Sequence, residues 1–171
     1  ITFTNWGYGF IFTNCNDLSI EGLTLNSYRD ITKVEPILYG CLGFDGVTTV
    51  GLSIRHNTFS NWNDQVITIG PYTVGCTKDV DIAFNKFINC GTTTSYTGGG
   101  DGALMSSFFF SNARFHENYM SNVLTIIEVE SAGMAPGHSF KNDGLYIYNN
   151  VGREVVGQAM AILLDYAPGS R

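Results

Sequence analysis

A chain of 171 residues that is 44% hydrophobic, 13% aromatic and only 14% charged carries enough apolar surface for one sizeable core and too little charge to stay disordered. Nine Lys and Arg against fifteen Asp and Glu leave a formal net charge of −6, without the basic stripe that a nucleic-acid interface needs. No run approaches the roughly 18 uninterrupted apolar residues of a membrane span, and four cysteines with no Cys-x-x-Cys pair point to small buried side chains rather than a zinc site.

The chain opens in strand-like sequence, with FIFT (Phe10 to Thr13) as an early strand. LSIEGLTLNS follows from Leu18, with Ile20 as its anchor, and then the apolar run ILYG (Ile37 to Gly40). LSIRHNTFSN (Leu52 to Asn61) has the same skeleton with Ile54 as anchor, and VITIG (Val66 to Gly70) comes after it. VDIAFNKFINC (Val80 to Cys90) repeats the skeleton around Ile82, and ALM (Ala103 to Met105) follows. ARFHENYMSN carries Phe115, then LTIIEV (Leu124 to Val129); LYIYNNVG carries Ile147, then AMAILL (Ala159 to Leu164). The anchors are 34, 28, 33 and 32 residues apart. A constant strand core with loops of varying length fits that spacing better than a helical solenoid of fixed repeat. No stretch combines helix capping with a 3.6-residue stripe, and Val155 to Leu164 reads as strand from its place in the repeat. The chain starts at Ile1 without Met and stops soon after an apolar run, so residues 1–171 are expected to be a single β-helical domain cut from a longer chain.

Inside the motif, Val80, Ile82 and Phe84 alternate with Asp81 and Ala83, a period of two. Asn85 interrupts, and the apolar position resumes at Phe87. Asparagine tolerates left-handed backbone, so one Asn between two short strands predicts a tight corner. Asn57, Asn85, Asn118 and Asn150 are then expected to lie one above another, their amides bonding along the stack.

The V-x-I-x-x-N-x-F motifs and the asparagine column resemble the right-handed parallel β-helix of the pectin-lyase-like superfamily over nearly the whole chain. The resemblance implies an all-β solenoid of about five to six coils, each with three short strands and a variable loop. That superfamily includes polysaccharide lyases and hydrolases, phage tailspikes and adhesins, so the fold does not choose among them. It implies a polysaccharide partner, an extracellular, cell-surface or virion location, and, by likeness to tailspikes, a homotrimer. The cleft of such enzymes lies along the first strand of each coil.

Aligned on that first strand, Glu35, Asp64 and Asp101 each stand two residues before an apolar residue, Ile37, Val66 and Ala103. In that register they form a column with the spacing of parallel strands, about 4.8 Å. Carboxyls about 5–5.5 Å apart suit a retaining glycosidase and about 6.5–9.5 Å an inverting one. A bridging Ca²⁺ is another solution, and local turn bonding by loop-start carboxylates a third. Glu128 and Glu130 share a face of the TIIEVE strand, and Asp165 follows the last apolar run. Asp64, Asp101 and Glu128 are the candidate acid/base residues; Trp62, Tyr96, Glu130 and Asp165 are candidate sugar contacts. Trp62 in FSNWNDQ either stacks on a sugar or closes a loop over the core. For an eliminating enzyme the available pieces are Arg114, His116, His138 and Lys141, with Arg114 and His116 on one strand face. A non-catalytic shaft or adhesin is the competing reading of the same solenoid.

Overall fold

The computed structural model describes residues 2–4, 10–12, 16–26, 42–44, 48–62, 66–69, 76–91, 103–107, 110–130, 143–155 and 160–163. Every regular element among them is a β-strand. One sheet holds β1 (Thr2–Thr4), β4 (Thr24–Asn26), β7 (Thr58–Ser60), β10 (Lys86–Cys90), β13 (Tyr119–Val123) and β16 (Val151–Val155), in that order. A second holds β2 (Phe10–Phe12), β5 (Leu42–Phe44), β8 (Ile67–Ile69), β11 (Ala103–Ser107), β14 (Thr125–Glu130) and β17 (Met160–Leu163). The third holds β3 (Ser19–Glu21), β6 (Thr48–Arg55), β9 (Cys76–Ala83), β12 (Phe110–His116) and β15 (Asp143–Tyr148). All pairing is parallel, and within each sheet a strand pairs with those three earlier and three later in the chain. Parallel partners need a crossover between them. Here the crossover is made of the two intervening strands and their connections, an all-β arrangement compatible with a parallel β-helix.

The inward side chains follow a spacing of two, then three. Leu52, Ile54, Asn57, Phe59 and Trp62 are buried, as are Val80, Ile82, Asn85, Phe87 and Cys90, and Ala113, Phe115, Asn118, Met120 and Val123. A strand alone would alternate every two residues. Each gap of three holds a residue with positive φ just before the next inward position: His56 and Asn61, Phe84 and Asn89, Glu117 and Asn122. The left-handed residue adds one outward position and bends the chain, so the following side chain returns to the core. Positive φ recurs every five residues in these segments, at Gly51, His56 and Asn61, at Asp79, Phe84 and Asn89, and at Asn112, Glu117 and Asn122.

This moves the corner predicted from the sequence. Asn57, Asn85, Asn118 and Asn150 are not the left-handed residues; their predecessors His56, Phe84, Glu117 and Asn149 are. The asparagines serve through their amides. Asn57 N and Nδ2 both donate to Asn85 Oδ1 at 3.0 Å. Asn85 N and Nδ2 donate to Asn118 Oδ1 at 2.9 and 3.1 Å, and Asn118 N and Nδ2 to Asn150 Oδ1 at 3.0 and 3.1 Å. The second amide hydrogen reaches a carbonyl on the other side: Asn57 to Ile20, Asn85 to Ile54, Asn118 to Ile82, Asn150 to Phe115. A polar group fully removed from water is tolerated only when so paired.

Phenylalanines fill much of the space between: Phe59 stacks on Phe87 with centroids 5.1 Å apart, and Phe87 lies 6.1 Å from Phe115. The strand expected over Ile37 to Gly40 lies outside the described residues; the strand paired with β2 and β8 is β5, further along the chain. The segment Val155 to Leu164, read as one strand, contributes its ends to β16 and β17.

Asn85→Ala leaves Asn57 N, Ile54 O and Asn118 Oδ1 each short of a partner inside the core. The expected loss is about 3 kcal/mol in urea unfolding; a loss under about 1 kcal/mol would show that the amide chain does not support the fold. Burial pushes the Cys90 thiol up to about 12. Cys90 should therefore stay unalkylated by iodoacetamide at about pH 8.5 in the native protein and react on unfolding, as read by peptide mass mapping.

Candidate functional site on the outer strand face

The third sheet arranges its outward residues in rows. Ser53, Asp81, Arg114 and Tyr146 are register partners on β6, β9, β12 and β15, and Arg55, Ala83, His116 and Tyr148 form the next row towards the corner. Asp81 lies diagonally between Arg55 and His116. Its Oδ2 accepts from Arg55 Nε at 2.6 Å and Nη2 at 2.5 Å, and its Oδ1 is 3.0 Å from His116 Nε2. The other ring nitrogen, His116 Nδ1, is 2.9 Å from Glu117 Oε2. Burial works against the Asp81 charge, but the hydrogen bonds from His116 and Arg55, with their charges, outweigh it and hold the carboxyl below its usual 3.8.

Both partners of His116 are acceptors. A neutral imidazole has one N–H and can satisfy one of them; an imidazolium satisfies both. Both ring nitrogens therefore face carboxylate oxygens rather than open space. Arg114 and His116, the cation and base expected of an eliminating enzyme, share β12, and there His116 bonds Asp81 across β9 and β12.

The rings beside this cluster are committed as well. His56 stacks on Phe84 at 5.0 Å and 8°, Phe84 meets His116 edge-on at 6.0 Å and 73°, and His116 stacks on Tyr148 at 4.6 Å and 10°. Each of these rings turns one face or edge to a neighbour, while Phe84 and Tyr148 stay 42% exposed. Arg114 and Tyr146 differ. Arg114 is exposed, and among the described residues it is in no ion pair, because its register neighbour Asp81 has both oxygens engaged. Tyr146, its neighbour on the other side, is 55% exposed.

Of the candidate acid/base and sugar-contact residues, Trp62, Glu128 and Glu130 are among the described residues. Trp62 is 7% exposed and part of the core, with its indole N–H donating to the Leu25 carbonyl at 3.2 Å. Its ring packs in the core rather than standing on an open face. Glu128 lies on β14, paired with Ser106 of β11 and Ala161 of β17, and Glu130 pairs with Leu163. Both positions alternate with buried Thr125 and Ile127. Asp64, Asp101, Tyr96, Asp165, Glu35, His138 and Lys141 lie outside the described residues. The strand register does not align the proposed column by itself. Leu42, Ile67 and Met105 are partners, and Glu35, Asp64 and Asp101 precede them by seven, three and four residues. Among the described residues no group of three His, Cys, Asp or Glu is placed to hold a metal ion. The Arg55–Asp81–His116–Glu117 cluster was missed, although stacking the motif copies places Arg55 and Asp81 within diagonal reach.

Because the folded Asp81 carboxyl sits below its ordinary range, its contribution to stability is present above about pH 4 and is lost as pH falls through the lowered value. Asp81→Asn should therefore lower the melting temperature near neutrality, and the gap from the parent protein should shrink below about pH 4. A gap constant from pH 7 to the acid limb would sink the assignment. No protein-family model, no curated protein and no solved structure matches this chain.

Proposed function

We propose that this chain is a right-handed parallel β-helix of the pectin-lyase-like type whose outer surface binds polysaccharide outside the cell, on a cell surface or on a virion. The observation that supports this reading is the pairing of Arg114 with Tyr146. A guanidinium that forms no ion pair among the described residues stands on the strand beside a half-exposed phenol ring. Sugar rings pack their apolar faces on such aromatics, and their oxygens accept from such a cation. Hydrolysis by Asp64, Asp101 and Glu128 belongs to the same proposal as its catalytic part. The rival reading, a non-catalytic shaft or adhesin, is favoured by the commitment of His116 to two carboxylates and of its neighbouring rings to one another.

The test separates binding from cleavage. Affinity electrophoresis against a panel of soluble neutral and acidic polysaccharides should show retardation by at least one of them. Tyr146→Ala and Arg114→Ala should each weaken it about tenfold, equivalent to about 1.4 kcal/mol. If none of the panel retards the protein, the reading falls. Cleavage is followed by new reducing ends. If cleavage survives Asp101→Asn combined with Glu128→Gln, the catalytic assignment is wrong; if binding occurs without any cleavage, the adhesin reading replaces it.

A further inference from the structure

A second asparagine series runs along the opposite end of the first sheet's strands. Asn61 Nδ2 donates to Asn26 Oδ1 at 2.7 Å, Asn89 Nδ2 to Asn61 Oδ1 at 3.1 Å, and Asn122 Nδ2 to Asn89 Oδ1 at 3.0 Å. Unlike the buried series, Asn61, Asn89 and Asn122 are exposed, and all three have positive φ. At the next position Glu154 ends the series, also at positive φ.

The backbone does not require asparagine here. The two other left-handed series are filled by Asp17, Gly51, Asp79, Asn112 and Gly144, and by Gly22, His56, Phe84, Glu117 and Asn149. Stability does not require it either, since an exposed side-chain hydrogen bond contributes little against water. What the uniform series does provide is a row of amides held in one orientation. Each amide has two N–H donors and two acceptor lone pairs. The ladder uses one N–H and one lone pair between neighbours, so a donor and an acceptor remain at Asn61, Asn89 and Asn122, repeated at the strand spacing of about 4.8 Å, whereas Ser60 Oγ takes the second lone pair of Asn26 Oδ1 at 2.9 Å.

We propose that the Asn26–Asn61–Asn89–Asn122 ladder is a binding line for an uncharged, polyhydroxylated chain lying along the stack of strands. Hydroxyls both donate and accept, so successive sugars can match each amide's remaining pair. The amides already bond to one another before a ligand arrives, so part of their side-chain freedom is lost in advance of binding. Tyr119, 36% exposed on β13, stands on the same sheet face and supplies an apolar surface. The inference rests on the polysaccharide reading and adds to it where on the surface the chain lies and that its recognised groups are neutral.

The experiment uses glycine, which keeps the left-handed backbone and removes the amide. The parent protein and the Asn61→Gly, Asn89→Gly, Asn122→Gly triple variant are titrated by calorimetry with a soluble mannan, a xyloglucan and a dextran. The expected result is binding of at least one neutral polymer by the parent, weakened about tenfold or more in the triple variant, with a cooperative melt retained. If the triple variant fails to fold, the single variant Asn122→Gly, at one end of the ladder, is expected to weaken binding several-fold on its own. Unchanged binding in a folded variant overturns the ladder and leaves the polysaccharide reading standing. Binding of acidic polymers alone, lost with Arg114→Ala, also overturns the ladder. Binding of no polymer by the parent protein overturns both.

Discussion

A left-handed residue every five positions is the constraint on which the rest of this structure depends. An extended chain sends side chains alternately to two sides, which would leave half of the apolar residues of each motif outside. One residue at positive φ before every second inward position resets the alternation, as at His56, Phe84 and Glu117. The core rows Leu52-Ile54-Asn57-Phe59-Trp62 and Val80-Ile82-Asn85-Phe87-Cys90 then face the same interior. Such backbone disfavours a bulky side chain. Phe84 adopts it while stacking on His56 and standing edge-on to His116, so ring contacts offset part of the local cost.

With the corners fixed, the amide series becomes the part of the core that discriminates. Apolar side chains at stacked positions pack almost as well after a slip in alignment. Asn57, Asn85 and Asn118 do not, because a shifted amide would leave donors and carbonyls buried without partners. The series therefore ties each segment to the next in one register. At its near end Leu23 N still donates to Asn57 Oδ1, although Leu23 itself offers no amide.

The outer face shows how few groups a rigid surface leaves uncommitted. Asp81 sits where it could pair with Arg114, but Arg55 and His116 take both of its oxygens. That choice binds three strands together and turns both ring nitrogens of His116 towards carboxylates. It also leaves Arg114 beside exposed Tyr146, and the reading of the surface as a binding face follows from that remainder.

The repeat of apolar residue, Ile, Asn and Phe was legible in the sequence because a stacked architecture writes the same side-chain requirement into every turn. Parallel pairing of the motif strands, the all-β class and the chain of asparagine amides were all readable from it. The position of the left-handed residue was not. Asn57 and Asn61 have the same local propensity, and only the tertiary structure decides that Asn57 is buried just after a left-handed residue while Asn61 is itself left-handed and exposed. Trp62 was equally ambiguous, since its indole finds the Leu25 carbonyl 37 residues back in the chain. The Asp81 cluster spans β6, β9 and β12: stacking the motifs brings Arg55 near Asp81, but which side chains pair across the diagonal is settled only in the folded register. Periodicity is a local property and the sequence determined it; which polar atoms meet is set by the stacking register, and only the tertiary structure decided that.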